Sequence, residues 1–130
     1  MIVVDASALV AIGDDEPEAE RFLAVLERNP SCISAVNYVE AGLILIGRGR
    51  LATQEDLDDW LKQLGASVMP DENLASAALE AYLVYGRRRH PAKLNLADCF
   101  AYALAKSLDA PLLYKGDDFP LTDVRSALDA

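Results

Sequence analysis

Four carboxylates in this 130-residue chain stand where a carboxylate is costly to place: Asp5, Glu40, Asp98 and Asp117. Asp5 directly follows Ile2-Val3-Val4, a β-branched run with the pattern of a strand buried on both faces. Glu40 has Val36 four residues before it and Leu43 and Ile44 three and four after, so it shares a helical face with apolar groups. Asp98 lies in Leu94–Lys106, a stretch so apolar that a helix there has no polar face and must be buried. Asp117 follows Leu112-Leu113-Tyr114, another short run of buried-strand type. Burying a carboxylate is expensive unless it is paired, hydrogen-bonded or bound to a metal.

Carboxylates drawn to one point raise each other's pKa or hold a cation between them. The chain has one histidine, His90, and two cysteines, Cys32 and Cys99, with no metal-binding spacing, so zinc is not expected. Hard oxygen ligands suit Mg²⁺ or Mn²⁺. Such an ion lowers the pKa of a water and neutralises a leaving oxygen, which is the chemistry of phosphodiester hydrolysis. Each acid also has a plain structural reading. Asp5 suits a helix N-cap, and Asp98 suits the first turn of a helix capped by Asn95. His90 has no nucleophile partner that would suggest a Ser-His-Asp triad.

The elements that must carry these residues follow from local patterns. A strand over 1–4 leads into a helical start at Ala6. A second helix carries the stripe Ala19, Phe22, Leu23 and Leu26 and stops at Asn29-Pro30. Ser31–Ser34 reads as a strand before a helix over 35–46, ended by Gly47 and Gly49. Thr53 and Asp56 form a capping box for a helix with Leu57, Trp60, Leu61 and Leu64 inward, closed by Gly65. Ala66–Met69 is a marginal strand, and Asp71 is expected to cap the next helix, which ends at Gly86. After the helix beginning near Asn95 comes the strand 112–114. Asp123 and Val124 suit a turn or a small strand, and the last residues suit a surface tail. This order implies a three-layer α/β/α sandwich around a mainly parallel sheet of about four to five short strands, in a single domain over 1–130.

With 52% hydrophobic and 25% charged residues the composition is that of a globular protein. No apolar run approaches the roughly 18 residues of a membrane span, the start lacks an export-signal pattern, and a reducing cytoplasmic setting is expected. The net charge of −9 argues against a simple nucleic-acid coat, but the charge is segregated. Acids crowd 14–20 and 55–59 as solvated helix faces, whereas Arg87, Arg88, Arg89 and Lys93 form a basic loop just before Asp98. That loop reads equally as solvated surface and as a grip on phosphates.

Ile-Val-Val-Asp-Ala-Ser-Ala-Leu at the start, Ile-Ser-Ala-Val-Asn-Tyr-Val-Glu-Ala around Glu40, Leu-Asn-Leu-Ala-Asp-Cys-Phe-Ala-Tyr-Ala-Leu-Ala around Asp98 and Leu-Leu-Tyr-Lys-Gly-Asp-Asp-Phe near the end occur in that order. They closely resemble PIN-domain proteins and, more narrowly, VapC-type toxins of prokaryotic toxin–antitoxin pairs. The resemblance implies a Mg²⁺- or Mn²⁺-dependent ribonuclease with Asp5, Glu40, Asp98 and Asp117 as its acidic site. It also implies that Ser7 supports the site by hydrogen bonding. By the same resemblance the toxin forms a homodimer and a hetero-oligomer with a VapB-type antitoxin. The antitoxin's C-terminal segment would lie in or beside the groove, and operator DNA would be reached only through it. The last acid is the family's least constant. Asp117 is preferred as the first after the strand, with Asp118 and Asp123 as substitutes.

Three other readings meet these residues. A phospho-receiver domain also clusters acids around Mg²⁺, but Asp14-Asp15 lies past a helical stretch instead of directly after the first strand. A haloacid-dehalogenase-type phosphatase wants Asp-x-Asp where this chain has Asp5-Ala6-Ser7. A catalytically inactive partner protein of the same fold would be expected to have lost one of the four acids.

Overall fold

Short, mostly apolar runs form one parallel sheet. In the computed structural model, which describes residues 1–129, the strands are β1 (Ile2–Val4), β2 (Ser31–Ser34), β3 (Ala66–Met69) and β4 (Leu112–Leu113). They lie in the order β3-β2-β1-β4, with Val3 opposite Cys32 on one side and Leu112 on the other. The helices are α1 (Ala6–Gly13), α2 (Ala19–Arg28), α3 (Ala35–Gly47), α4 (Gln54–Leu64), α5 (Ala75–Tyr85) and α6 (Leu96–Ser107). Alternation along the strands feeds two cores. Ile2, Val4, Ile33 and Leu113 face Leu9, Phe22, Leu26, Leu57 and Leu61. Val3, Cys32 and Leu112 face Ala78, Ala81, Cys99, Leu104 and Phe119. Helices cover both faces of the central strands, which is why β1 and β4 read as continuous apolar runs. Enclosing a side chain such as Leu9, Leu112 or Leu113 contributes roughly 1.5–3 kcal/mol.

The chain steps outward from β1 to β2 and β3, then crosses back to place β4 on the other side of β1. In open α/β sheets that reversal leaves a crevice outside the carboxyl ends of the flanking strands, here β1 and β4. Asp5 follows β1, and the Asp117-Asp118 pair follows β4 by a few residues. The fold therefore prepares a site before any side chain is considered.

Two local expectations are corrected. Asp71 does not cap its own helix, which starts only at Ala75. Its carboxylate instead accepts hydrogen bonds from the N–H groups of Ala35 (3.1 Å) and Val36 (3.0 Å). Those are free first-turn donors of α3, at the positive end of its dipole, and the pairing of β2 with β3 carries Asp71 over them. Nor do the last residues form a surface tail. Val124 and Ala127 are buried, the Leu112 N–H donates to the Arg125 carbonyl at 2.8 Å, and the Ala127 N–H donates to the Leu112 carbonyl at 2.9 Å. This segment covers the open edge of β4, whose unpaired backbone groups would otherwise be bare. The Thr53–Asp56 capping box and the left-handed Gly65 (φ +75°) that ends α4 are both present as expected.

Candidate active site

Asp5 ends β1 and caps α1. Its Oδ2 accepts the Ser7 N–H at 3.0 Å. Its Oδ1 is buried and, among the described residues, has no hydrogen-bond partner. Burial pushes the carboxyl up to about 7; hydrogen bonds from Ser7 pull it down, and the charges of Asp98 and Glu40 push it further up. The cap and the site are thus one residue using two different oxygens.

Glu40 projects from the middle of α3 and Asp98 from the first turn of α6. Burial raises both carboxyls, and the negative charge of Asp98 adds to the effect on Glu40. On Asp98, the hydrogen bond from the Asn95 N–H acts downward, the charge of Asp118 upward and that of Arg87 downward. Asn95 and Asp98 form the expected capping box.

These acids line one open cleft of about 470 Å³, together with Asp118 and Glu16. Asp117, preferred from the sequence, does not line it; Asp118 does. Gly116, at φ +120°, makes a turn between the strand end and the acids that only glycine adopts without strain, so counting from the strand does not identify which of the two lines the cleft. Asp123 is engaged elsewhere, accepting from the Tyr102 hydroxyl at 2.5 Å and from Lys106 at 3.1 Å, both of which hold its carboxyl below the ordinary range. Among the described residues, no three Asp, Glu, His or Cys side chains close tightly enough to enclose an ion by themselves. The unpartnered Asp5 Oδ1 beside several carboxylates is nonetheless the donor set that a hard divalent cation needs.

Two cations that no local sequence pattern singles out, Arg48 and Lys115, also line the cleft. Arg48 is paired with Asp14, which also accepts from Arg50 Nε at 2.9 Å. Lys115 is paired with Glu16 and, at 3.0 Å, with Glu18. Of the acidic run 14–20, Asp14, Glu16 and Glu18 are therefore not a solvated helix face but fill the α1–α2 turn and hold the cleft's basic groups, whereas Asp15 and Glu20 are exposed as expected. The place of Lys115 just after β4 was the signal available to find it. Ser7 joins the same wall, its Oγ accepting the Lys115 N–H at 3.0 Å. Of the basic loop, Arg87, Arg88, Arg89 and Lys93 are all exposed and none lines the cleft; the charge of Arg87 nonetheless acts on Asp98. His90 serves its own loop: Nδ1 accepts the Ala92 N–H at 3.0 Å and the ring meets Tyr85 edge-on. Cys32 and Cys99 are buried, and burial raises both thiols, Cys99 to about 11, so neither is a reactive nucleophile.

The profile of the PIN domain matches residues 2–124. Ribonuclease VapC30 of Mycobacterium tuberculosis is 42% identical over 125 residues, 95% of either chain. Ribonuclease VapC42 of the same organism is 44% identical over 129 residues, covering 97% of this chain and 98% of that one. Ribonuclease VapC of Mycolicibacterium smegmatis is 44% identical over 125 residues, 95% of this chain and 97% of that one. The crystal structure of Mycobacterium tuberculosis VapC20, a sarcin–ricin-loop-cleaving toxin, superposes with a TM-score of 0.70 at 18% identity over 96% of this chain and 99% of that one, a likeness of fold.

Proposed function

This chain belongs to the PIN-domain family, among its VapC-type proteins, and from that premise we propose that it is a Mg²⁺- or Mn²⁺-dependent endoribonuclease acting as the toxin of a toxin–antitoxin pair. The observation that carries the reading is the buried, unpartnered Oδ1 of Asp5 in a cleft shared with Glu40, Asp98 and Asp118. Those four residues would hold the ion, with Asp118 in the place expected of Asp117. When bound, the ion supplies positive charge and a more acidic water for hydrolysis.

The chain's own groups do the rest. Ser7 and Asn95 hold one oxygen each of Asp5 and Asp98, leaving the second oxygen of each carboxylate for the cleft. Arg48 and Lys115 line the cleft and the charge of Arg87 reaches Asp98, so a polyanion that approaches the acids also meets cations there. The RNA sequence that fits lies in the shape of this groove and its loops.

The proposal includes a VapB-type antitoxin as partner, contact with operator DNA only through that antitoxin, a homodimer and a cytoplasmic setting. Exposed Val39 and Leu43 on α3 and Leu96 on α6, beside Glu40, support a partner segment that joins apolar side chains to a cation. Among the described residues no helix is long and apolar enough to cross a membrane.

Cleavage of RNA by the purified protein tests the reading. Activity is expected with Mg²⁺ or Mn²⁺ and not in chelator. Full activity in chelator would overturn the metal mechanism, and no cleavage with either ion would overturn the ribonuclease assignment.

A further inference from the structure

We propose that Asn37 is the positioning residue that sets the spacing of Asp5, Glu40 and Asp98, an inference that rests on the ribonuclease assignment. Asn37 lies in the first turn of α3 and is fully buried. Its Oδ1 accepts the N–H of Ala6 at 3.0 Å. Its Nδ2 donates to Ser34 Oγ at 2.8 Å and to the carbonyl of Ala97 at 3.0 Å. Ala6 is the residue after Asp5, Ala97 is the residue before Asp98, and Glu40 lies one turn along the helix that carries Asn37. One carboxamide thus grips the backbone beside two acids and rides on the helix of the third.

Ala6 is buried, so its free first-turn N–H takes its partner from α3 instead of from water, whereas the carbonyl of Ala97 already faces its own helix's fourth-next N–H and gains the bond from Asn37 in addition. The reach to both sets α1 and α6 relative to α3. Among neutral side chains only an amide offers two donors and an acceptor, and Asn does so on a short stem with few rotamers. Aspartate could accept from Ala6 but could not donate to Ala97. Leucine would fill the volume but leave the Ala6 N–H unpaired. Groups that orient metal ligands from behind typically contribute 10–100-fold to affinity or rate, and a misplacement of about 1 Å can cost as much.

The test compares wild-type protein with Asn37→Leu and Asn37→Ser. Thermal melting monitors the fold, calorimetry monitors Mn²⁺ binding, and cleavage of an RNA oligonucleotide gives kcat and KM separately. The expected result is a folded variant whose kcat and Mn²⁺ affinity each fall about 10–100-fold, whose KM for RNA is little changed, and whose rate is partly restored by excess Mn²⁺. A purely structural role would lower the melting temperature without that pattern. A folded variant with wild-type kcat and Mn²⁺ affinity would overturn the inference while leaving the ribonuclease assignment standing. A wild type that neither binds Mn²⁺ nor cleaves RNA would overturn both. Should Asn37→Leu fail to fold, Asn37→Ser, uncharged and smaller, decides by the same measurements.

Discussion

Asn95 and Asp98 cap one another: the Asp98 N–H donates to Asn95 Oδ1 at 2.9 Å, and the Asn95 N–H donates to Asp98 Oδ2 at 3.0 Å. The exchange occupies one carboxylate oxygen and leaves Oδ1 to the cleft. Structural and chemical duties of Asp98 are therefore separable by substitution.

Asp98→Asn keeps an oxygen for the Asn95 N–H and removes the charge. Cleavage is expected to fall at least about a hundredfold, while the melting temperature holds or rises because a repelling carboxylate is gone. Asn95→Ala is expected to do the reverse, losing about 1 kcal/mol of stability in urea unfolding with a smaller effect on rate. Wild-type cleavage by Asp98→Asn would return Asp98 to a capping role alone.

Asp118 and Asp117 are distinguished by the same logic. Both are exposed, but Asp118 lines the cleft and its charge reaches Asp98, whereas Asp117 lies outside it. In an RNA cleavage assay Asp118→Asn should lose roughly tenfold or more in kcat, and Asp117→Asn should stay near wild type. The opposite ranking would restore the first acid after the strand.

Stability of the metal-free protein should fall as pH rises. Asp5 titrates near 7 in the folded chain against 3.8 as its ordinary value, so the folded state holds the proton more tightly. The associated stabilisation is complete below about pH 4, declines across the interval and is lost above about pH 7. For a fully buried group the gap corresponds to roughly 4 kcal/mol. Glu40 and Asp98, also raised, act in the same sense. Urea unfolding in chelator should show a higher midpoint near pH 5 than near pH 8, and Asp5→Asn should flatten the difference. Added Mn²⁺ should recover stability at the higher pH in wild type by mass action. Equal midpoints at both pH values would contradict a buried, charge-averse Asp5.

RNA binding should weaken with salt in proportion to the cations that meet phosphate. Replacing Arg48 and Lys115 by Ala should lower the slope of log K against log salt by roughly one per cation. Replacing Arg87, Arg88 and Arg89 together should also weaken binding and flatten the slope, mainly through Arg87. An unchanged slope in the loop variant would make that loop plain solvated surface.

The local grammar of this fold was legible in its residues. The strand runs, the Thr53–Asp56 and Asn95–Asp98 boxes, the Gly65 stop and the placing of Asp5 at a strand end are signals confined to a few neighbouring positions, where hydrogen bonds of a helix turn or a cap are made. Glu40 and Asp98 stand out for a related reason: a carboxylate in an apolar pattern is conspicuous before the fold is considered. Other choices belong to residues far apart in the chain. Ser7 meets Lys115 across 108 residues, Asp71 caps α3 from behind β3, Asn37 spans α1 and α6, and Asp118 rather than Asp117 reaches the cleft. The sequence by itself determined which elements form and which acids are costly, because propensity, capping and periodicity act within a turn or two. Only the tertiary structure decided which of those acids share a cleft and which groups hold them there, because that depends on how a parallel sheet stacks its helices.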